Sequence, residues 1–374
     1  MEIGVTRFAL IGGFLGAGKT TLIGELASRS VAQGKRIGII TNDQAADLVD
    51  TQNLRAQGFA VGEVAGACFC CSFDEMVAAA KELGADAAPD LLLAEPVGSC
   101  TDLVATIILP LQQLLGEQFQ LAPFGVMLKP GHGRRILAGG DSQAALSGFS
   151  PQAEYIFRKQ LEEADYLMIG RADTMDQQQI DELKQRLSEV APDVPVIAVS
   201  PRSGQGVDEV MQMMLSDLPA GQRLLDIDYD TYADGEAELG WVNLATSVQS
   251  MAPIDLNEVA ETLVRHIGRQ IVQQSAGAIA HVKASVSGDG THAVANLVDN
   301  FGDVEVGLEA GHAVKGVIEI VINARVALDP QTLQQFCENA LQGVAADQGW
   351  PIESINARSL RPGRPTPTHR VTQA

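Results

Sequence analysis

Two clusters of residues in this chain have the types and spacing to do chemistry. The first is Gly13-Phe14-Leu15-Gly16-Ala17-Gly18-Lys19-Thr20, which fits G-x-x-x-x-G-K-[ST]. Glycines so spaced let backbone N–H groups curl round phosphates without side-chain clashes. Lys19 has the length to reach a β- or γ-phosphate, and the Thr20 hydroxyl suits Mg²⁺. The second cluster is Cys68-Phe69-Cys70-Cys71. Behind it, Ser72 and Glu75 have capping-box spacing, so the sequence predicts a helix starting at Ser72 with the sulfurs just ahead of its positive end. That position favours thiolate, the form that binds metal or reacts. Sulfur ligands select zinc and similar borderline or soft ions over Mg²⁺. Three thiolates leave a fourth coordination position open, which suits a metal that must be handed on.

Other candidates stand alone. Glu95 follows the apolar run LLLA and opens Glu95-Pro96-Val97-Gly98. At the carboxyl end of a strand facing the glycine loop, it could hold a metal's water or orient an attacking one. Asn42 and Asp43 close another apolar run at the same expected edge, where Asp43 could reach Mg²⁺ through water or simply make a turn. Cys100 could approach the cysteine cluster but reads as a small buried residue, and Cys337 as structural. The six histidines, at 132, 266, 281, 292, 312 and 369, are scattered and read as surface or core residues. KPGHGRR (129–135) reads as a solvated loop.

The elements that must position these groups are legible as apolar runs. Strands are expected at 6–12, 36–41, 60–64, 90–94, 124–128, 165–169 and 194–199. Most are continuous and not alternating, the mark of strands buried on both faces of a parallel sheet covered by helices. The first domain is expected over 1–218. Residues 219–238 are acidic and weakly periodic and read as a linker. A second, smaller α+β domain follows over 239–358. It has a helix at about 255–274, strands at 278–286, 291–298, near 304–308 and at 314–327, and a helix from Pro330 to Leu341. AIAHVKASV alternates, so its sheet is expected to have one wet face, and GDG at 288–290 signals a hairpin. Residues 359–374 read as a disordered tail.

Composition excludes several functions. Lysine and arginine number 26 against 47 aspartates and glutamates, a formal charge of −21. That balance opposes nucleic-acid binding, which needs a surplus of cations, and docking on anionic lipid. No apolar run is long enough to span a bilayer, and the start lacks the pattern of a signal peptide, so a soluble cytoplasmic protein is expected. The clustered cysteines do not form a disulfide framework.

The glycine loop GGFLGAGKTTLI, the C-x-C-C cluster and the E-x-x-G turn together resemble the CobW-type P-loop GTPases, relatives of HypB and UreG, over residues 6–215. The resemblance implies a P-loop NTPase domain, with GTP and Mg²⁺ held by Gly13, Gly16, Ala17, Gly18, Lys19, Thr20 and Thr21. It also implies a hydrolysis-linked turn at Glu95 and Gly98, and a transferred metal, zinc or cobalt in the first instance, on Cys68, Cys70 and Cys71. Lys19 and Glu95, with Asp43, would carry the phosphoryl transfer. The implied partner is a client metalloprotein or cofactor enzyme, and a homodimer is left open. The guanine-reading segment departs from N-K-x-D: after DYLMI the chain reads Gly170-Arg171-Ala172-Asp173. Asp173 is retained, and the later Ser200 turn is expected to close over the base, so GTP and ATP both stay open. The leading cysteine follows Ala67 where glycine is usual, and there is no histidine-rich loop. Three other readings compete: an NTP-driven activator of a corrinoid enzyme, a P-loop kinase of a small metabolite, and a nucleotide-regulated scaffold without turnover.

Overall fold

The computed structural model describes residues 5–43, 49–85, 87–137, 149–274, 277–300 and 302–372. It divides into two compact units. One comprises Met1–Ala46, Gln57–Gly235 and Arg364–Ala374, and the other Asp47–Ala56 and Glu236–Gly363.

The first unit is built on a parallel sheet of β1 (Thr6–Gly12), β2 (Ile37–Asp43), β3 (Val61–Ala65), β4 (Leu91–Glu95), β5 (Phe119–Leu121), β6 (Gly125–Leu128), β7 (Tyr166–Ile169) and β8 (Val196–Ala198). The order is β3-β2-β4-β1-β6-β7-β8, with β5 pairing the start of β1. Every residue of β1, β4, β6 and β7 is buried, which is why these strands read as largely continuous apolar runs, interrupted only at the ends by Thr6, Arg7 and Glu95. Register aligns their carboxyl ends: Ala94 of β4 pairs with Leu10 of β1 and Ile40 of β2, and Glu95 pairs with Thr41. The glycine loop leaves β1 at that edge and enters α1 (Lys19–Ala32), whose Leu22, Ile23 and Leu26 are buried at helical spacing. β5 has three residues, too few to show a period, and was not anticipated.

The second unit holds a six-stranded antiparallel sheet ordered β12-β11-β10-β13-β9-β14. Its strands are β9 (Gly240–Ile254), β10 (Ile279–Gly288), β11 (Thr291–Leu297), β12 (Glu305–Leu308), β13 (Val314–Val326) and β14 (Asn356–Leu360). The helices Leu256–Gln274 and Pro330–Gln348 pack Leu263, Ile267, Cys337 and Leu341 against Val282, Ala284, Ile320 and Ile322. The second of these runs on past Leu341 to a left-handed Gly349 at φ 68°, the stop its sequence offers.

Several expectations need correction. The face of β10 expected to be wet is partly covered by α2 (Val49–Ala56), which lies in sequence between β2 and β3. Lys283 Nζ donates to both Asp50 carboxylate oxygens at 2.5 and 2.6 Å, Asn323 Oδ1 accepts from the Val49 N–H at 3.0 Å, and Val49 packs on Val294 and Val321. Alternation reports a polar face but cannot tell water from a polar helix. The expected acidic linker instead carries the helix Tyr229–Glu238, and the first unit runs on to Gly235 because Ile227 and Tyr232 are buried among the acidic residues. The tail expected to be disordered returns to the first unit from Arg364 onward. β9 and β14 were not anticipated. KPGHGRR forms the helix Pro130–Ile136 with His132 buried, and the Gly/Ser-rich stretch after it lies outside the described residues.

An eight-residue helix is marginal on its own, so α2 depends on its tertiary anchors. Replacing Lys283 with Met should raise hydrogen–deuterium exchange across 49–56 about tenfold or more, as expected for losing a half-buried ion pair. Unchanged protection there would mean that Asp50 does not hold the helix.

Candidate functional site

The glycine loop takes a conformation that only glycine adopts easily. Gly13, Gly16 and Gly18 have φ of 130°, 74° and 102°. A Cβ at Gly13 would come within 2.0 Å of the Met127 carbonyl oxygen. The loop's Phe14 is buried in a cage of His132, Phe149 and Phe157, each edge-on at 5.5–5.9 Å. Lys19 and Thr20 open α1, both buried, and Thr21 is exposed on the same turn. Lys19 Nζ donates to the Gly13 carbonyl at 2.8 Å and lies 3.9 Å from Glu95 Oε1. The Thr20 hydroxyl donates to that same carboxylate oxygen at 3.1 Å. Sequence reasoning placed Lys19, Thr20 and Glu95 at one sheet edge, and the structure brings them into contact.

Gly98 needs to be glycine for a different reason. A Cβ there would meet Leu15 Cδ2 at 2.7 Å and Leu15 N at 3.0 Å, so the turn after β4 rests directly on the glycine loop. Gly170 is similarly pressed: a Cβ would lie 2.8 Å from the Ala17 carbonyl oxygen. The G-R-A-D segment therefore borders the loop, with Arg171 left-handed at φ 55° and Asp173 exposed beside it. The Ala172 N–H donates to Val199 O, which brings the Ser200 turn alongside. Ser200 is buried, and its main chain pairs with Gln205 in closing that turn. Asp43 ends β2 at the same edge, and its side chain lies outside the described residues.

Cys68, Cys70 and Cys71 bring their sulfurs together at 3.0, 3.3 and 3.8 Å, with Cys68 and Cys70 buried and Cys71 half-buried. All five cysteines are free thiols. The Cys71 and Ser72 N–H groups both donate to Cys68 O, a tight turn that leads into α3 (Phe73–Leu83). The helix starts where the S-x-x-E spacing indicated, but the Ser72 side chain makes no cap, with its backbone at φ −120° and ψ 44°. Asn42, at the end of β2, fastens the loop from below. Its amide donates to Val64 O and Ala67 O at 2.9 and 2.7 Å, and its oxygen accepts from the Phe69 N–H at 2.8 Å. Cys100 is buried, as its sequence reading had it, and it also approaches the cluster, with side-chain contacts to Cys68 and Cys70. These contacts polarise the cluster. S–H groups of Cys100, Cys70 and Cys71 hold the Cys68 thiol well below the ordinary range, while Cys70 is pushed well above it by Cys100, Cys68 and burial.

Two supports escaped the sequence reading. The helix Pro151–Glu162 underlies the turn after β4: Gln160 donates to the Gly98 and Cys100 carbonyls at 3.0 and 2.8 Å. Just beyond it, Glu163 accepts from Thr101 Oγ1 and the Val104 N–H, both at 3.2 Å. The second support is the tail. The Thr366 N–H donates to Cys71 Sγ at 3.3 Å, and Thr368 donates through its N–H to Cys70 O and through its hydroxyl to Cys71 O. His369 lies edge-on to Phe73 at 4.9 Å, and Arg370 pairs with buried Asp102 at 2.7 Å. The tail had looked disordered because its anchors are single polar residues with no apolar period, a pattern that carries no sequence signal.

Both supports are testable. Full burial raises the Glu163 carboxyl to about 8. Between the ordinary glutamate range and that value the folded protein keeps a proton that the unfolded chain has lost, so this group's contribution to stability falls as pH rises through the window. Glu163→Gln removes the titration. Its stability relative to wild type should therefore grow from about pH 5 to about pH 8.5, by on the order of a few kcal/mol, and a difference independent of pH would contradict the assignment. Deleting residues 364–374 should raise the alkylation rate of Cys71 about tenfold. Thr366→Pro, which removes only the N–H, should move it in the same direction, and unchanged rates in both would show that the tail does not shield the thiol.

Among solved structures, similarity is found to the hydrogenase maturation factor HypB from Archaeoglobus fulgidus at 18% identity, covering 55% of this chain and 87% of that one, TM-score 0.37. HypB from Helicobacter pylori, solved in complex with nickel, is similar at 18% identity over 57% and 91% of the two chains, TM-score 0.38. The Zn(II)-bound YjiA GTPase from E. coli is similar at 14% identity over 91% and 99%, TM-score 0.35. No curated protein sequence gives a significant match. The family model of the CobW/HypB/UreG nucleotide-binding domain matches residues 7–198, more than half of the chain, and this protein therefore belongs to the CobW/HypB/UreG family.

Proposed function

We propose that this protein binds and hydrolyses a purine nucleoside triphosphate, GTP in the first instance. In this reading it couples nucleotide state to a thiophilic metal held on Cys68, Cys70 and Cys71, as a metallochaperone or maturation factor for a client metalloenzyme. The observation that carries the reading is the direct contact of Thr20 with Glu95 at the mouth of a glycine cradle. That contact sits on the turn that also bears a sulfur in touch with the cysteine cluster. Family membership supports nucleotide chemistry in general.

The residues fit the roles. The left-handed glycines and the start of α1 leave main-chain N–H groups for phosphate oxygens, and Lys19 adds a charge whose desolvation is offset by Glu95. Bound Mg²⁺ supplies neutralisation of phosphate charge, with the Thr20 hydroxyl as its protein ligand. Glu95 orients the attacking water, and Asp43 lends a second carboxylate at the edge. Asp173 accepts from the guanine N1–H and exocyclic amine, and the Ser200 turn closes over the base. Adenine offers no such donor pair, so Asp173 favours GTP. The transferred metal is zinc or cobalt, ions that accept the thiolates of a buried cluster. Among the described residues no helix is long and apolar enough to cross a membrane.

One set of measurements tests this. Lys19→Ala should abolish nucleotide binding, and Glu95→Gln should keep binding while lowering turnover about 100-fold. Replacing Cys68, Cys70 and Cys71 together with serine should leave turnover without metal intact and abolish tight zinc or cobalt binding. Zinc affinity of the wild type should differ between the nucleotide-free and GTP·Mg²⁺ states, with GTP preferred over ATP. No turnover of either nucleotide would sink the enzyme reading, and identical zinc affinity in both states would sink the coupling.

A further inference from the structure

The three clustered cysteines occupy one stretch of chain, and a fourth sulfur reaches them from elsewhere. Cys100 is 1% exposed, and its side chain contacts both Cys68 and Cys70. Its backbone is fixed on both sides. Its N–H donates to Val97 O at 2.9 Å, and its carbonyl accepts from Gln160 at 2.8 Å. The sulfurs of Cys68, Cys70 and Cys71 stand 3.0–3.8 Å apart. A tetrahedral ion bound to four sulfurs at about 2.3 Å sets them about 3.8 Å apart, so the three clustered sulfurs need little movement to admit one. Cys100, which touches Cys68 and Cys70 but is not in the group of sulfurs within 4.8 Å of one another, must draw closer to Cys71. The remaining cysteine, Cys337, is buried among apolar residues of the other unit and takes no part.

We propose that the metal site is a four-sulfur site, with Cys100 as its fourth ligand, closed around a zinc-like tetrahedral ion. This rests on the metal-binding reading of Cys68, Cys70 and Cys71 and deepens it, because Cys100 belongs to the turn that carries Glu95 and Gly98. With Glu95 held by Thr20 and Gly98 seated on Leu15, a shift of that turn changes the ligand set from four sulfurs to three. Release of the ion is then a change in coordination number made by the nucleotide-linked segment itself. Each thiol surrenders its proton on binding, so uptake is accompanied by proton release to solvent.

Zinc and cobalt(II) alone are the probes. X-ray absorption of the zinc-loaded wild-type chain should fit a shell of four sulfurs at about 2.3 Å, a reading that needs no variant. Cobalt(II)-loaded Cys100→Ser should lose about a quarter of the sulfur-to-cobalt charge-transfer intensity and release metal to a chelator at least about tenfold faster. Cys100→Ala should do the same. A zinc shell of three sulfurs with an oxygen or nitrogen, or a Cys100→Ser spectrum and release rate equal to wild type, overturns the four-sulfur site and leaves the C-x-C-C reading standing. If the wild-type chain takes up neither ion, both fall together.

Discussion

A side chain on Gly98 would collide with Leu15, and this exclusion lets the turn after β4 lie flat on the glycine loop. Most of the candidate site is arranged by that contact. Upstream, Glu95 is carried to Thr20 and Lys19. Downstream, Cys100 is carried to the other sulfurs, and Asp102, left-handed at φ 65°, to Arg370 of the tail. The turn is a short lever between a phosphate cradle and a thiol cluster. Gln160 holds its Gly98 and Cys100 carbonyls together.

Support for this lever is polar and buried, which is unusual and costly unless satisfied. Glu163 is fully desolvated and keeps its proton up to about pH 8, accepting from Thr101 and Val104. Asp102 is also raised by burial, and Arg370 and the Tyr229 hydroxyl partly offset that burial. An apolar floor would pack as well but would not set the carbonyl directions of the turn. Directional bonds fix where Cys100 and Glu95 point, and fixed pointing is what a ligand and a water-orienting carboxylate require.

How much of this was legible follows from the range over which each signal acts. The glycine loop and the C-x-C-C cluster are local motifs, and β1, β4, β6 and β7 are buried along their whole lengths and mostly apolar, so each announces itself within a few residues. Pairwise contacts at long separation left no such trace. Nothing near Gln160 marks it as the partner of Gly98 and Cys100. Nothing in VDTQNLRA shows that α2 belongs to the second unit, where Asp50 meets Lys283. Cys100 read as a small buried residue because burial is all that composition reports. Its neighbours in space were the missing information. The tail was misjudged for the same reason, since Thr366, Thr368 and Arg370 act one at a time.

The cysteine loop is tied to the sheet twice, and the two ties differ in kind. Asn42 joins the end of β2 to Val64, Ala67 and Phe69 by three hydrogen bonds, and β2 is itself paired with both β3 and β4. That tie is part of a close-packed sheet, which resists deformation. Cys100 is tied through a turn held by separate side chains, with Gln160 on the Gly98 and Cys100 carbonyls, Glu163 on Thr101 and Val104, and Arg370 and Tyr229 on Asp102. Two routes therefore join the phosphate edge to the sulfurs: one through Asn42, next to Asp43, and one through the turn that carries Glu95, Gly98 and Cys100. Both routes are contiguous chains of packed and hydrogen-bonded residues, the kind of network that can carry coupling between two sites once one of its elements has two arrangements.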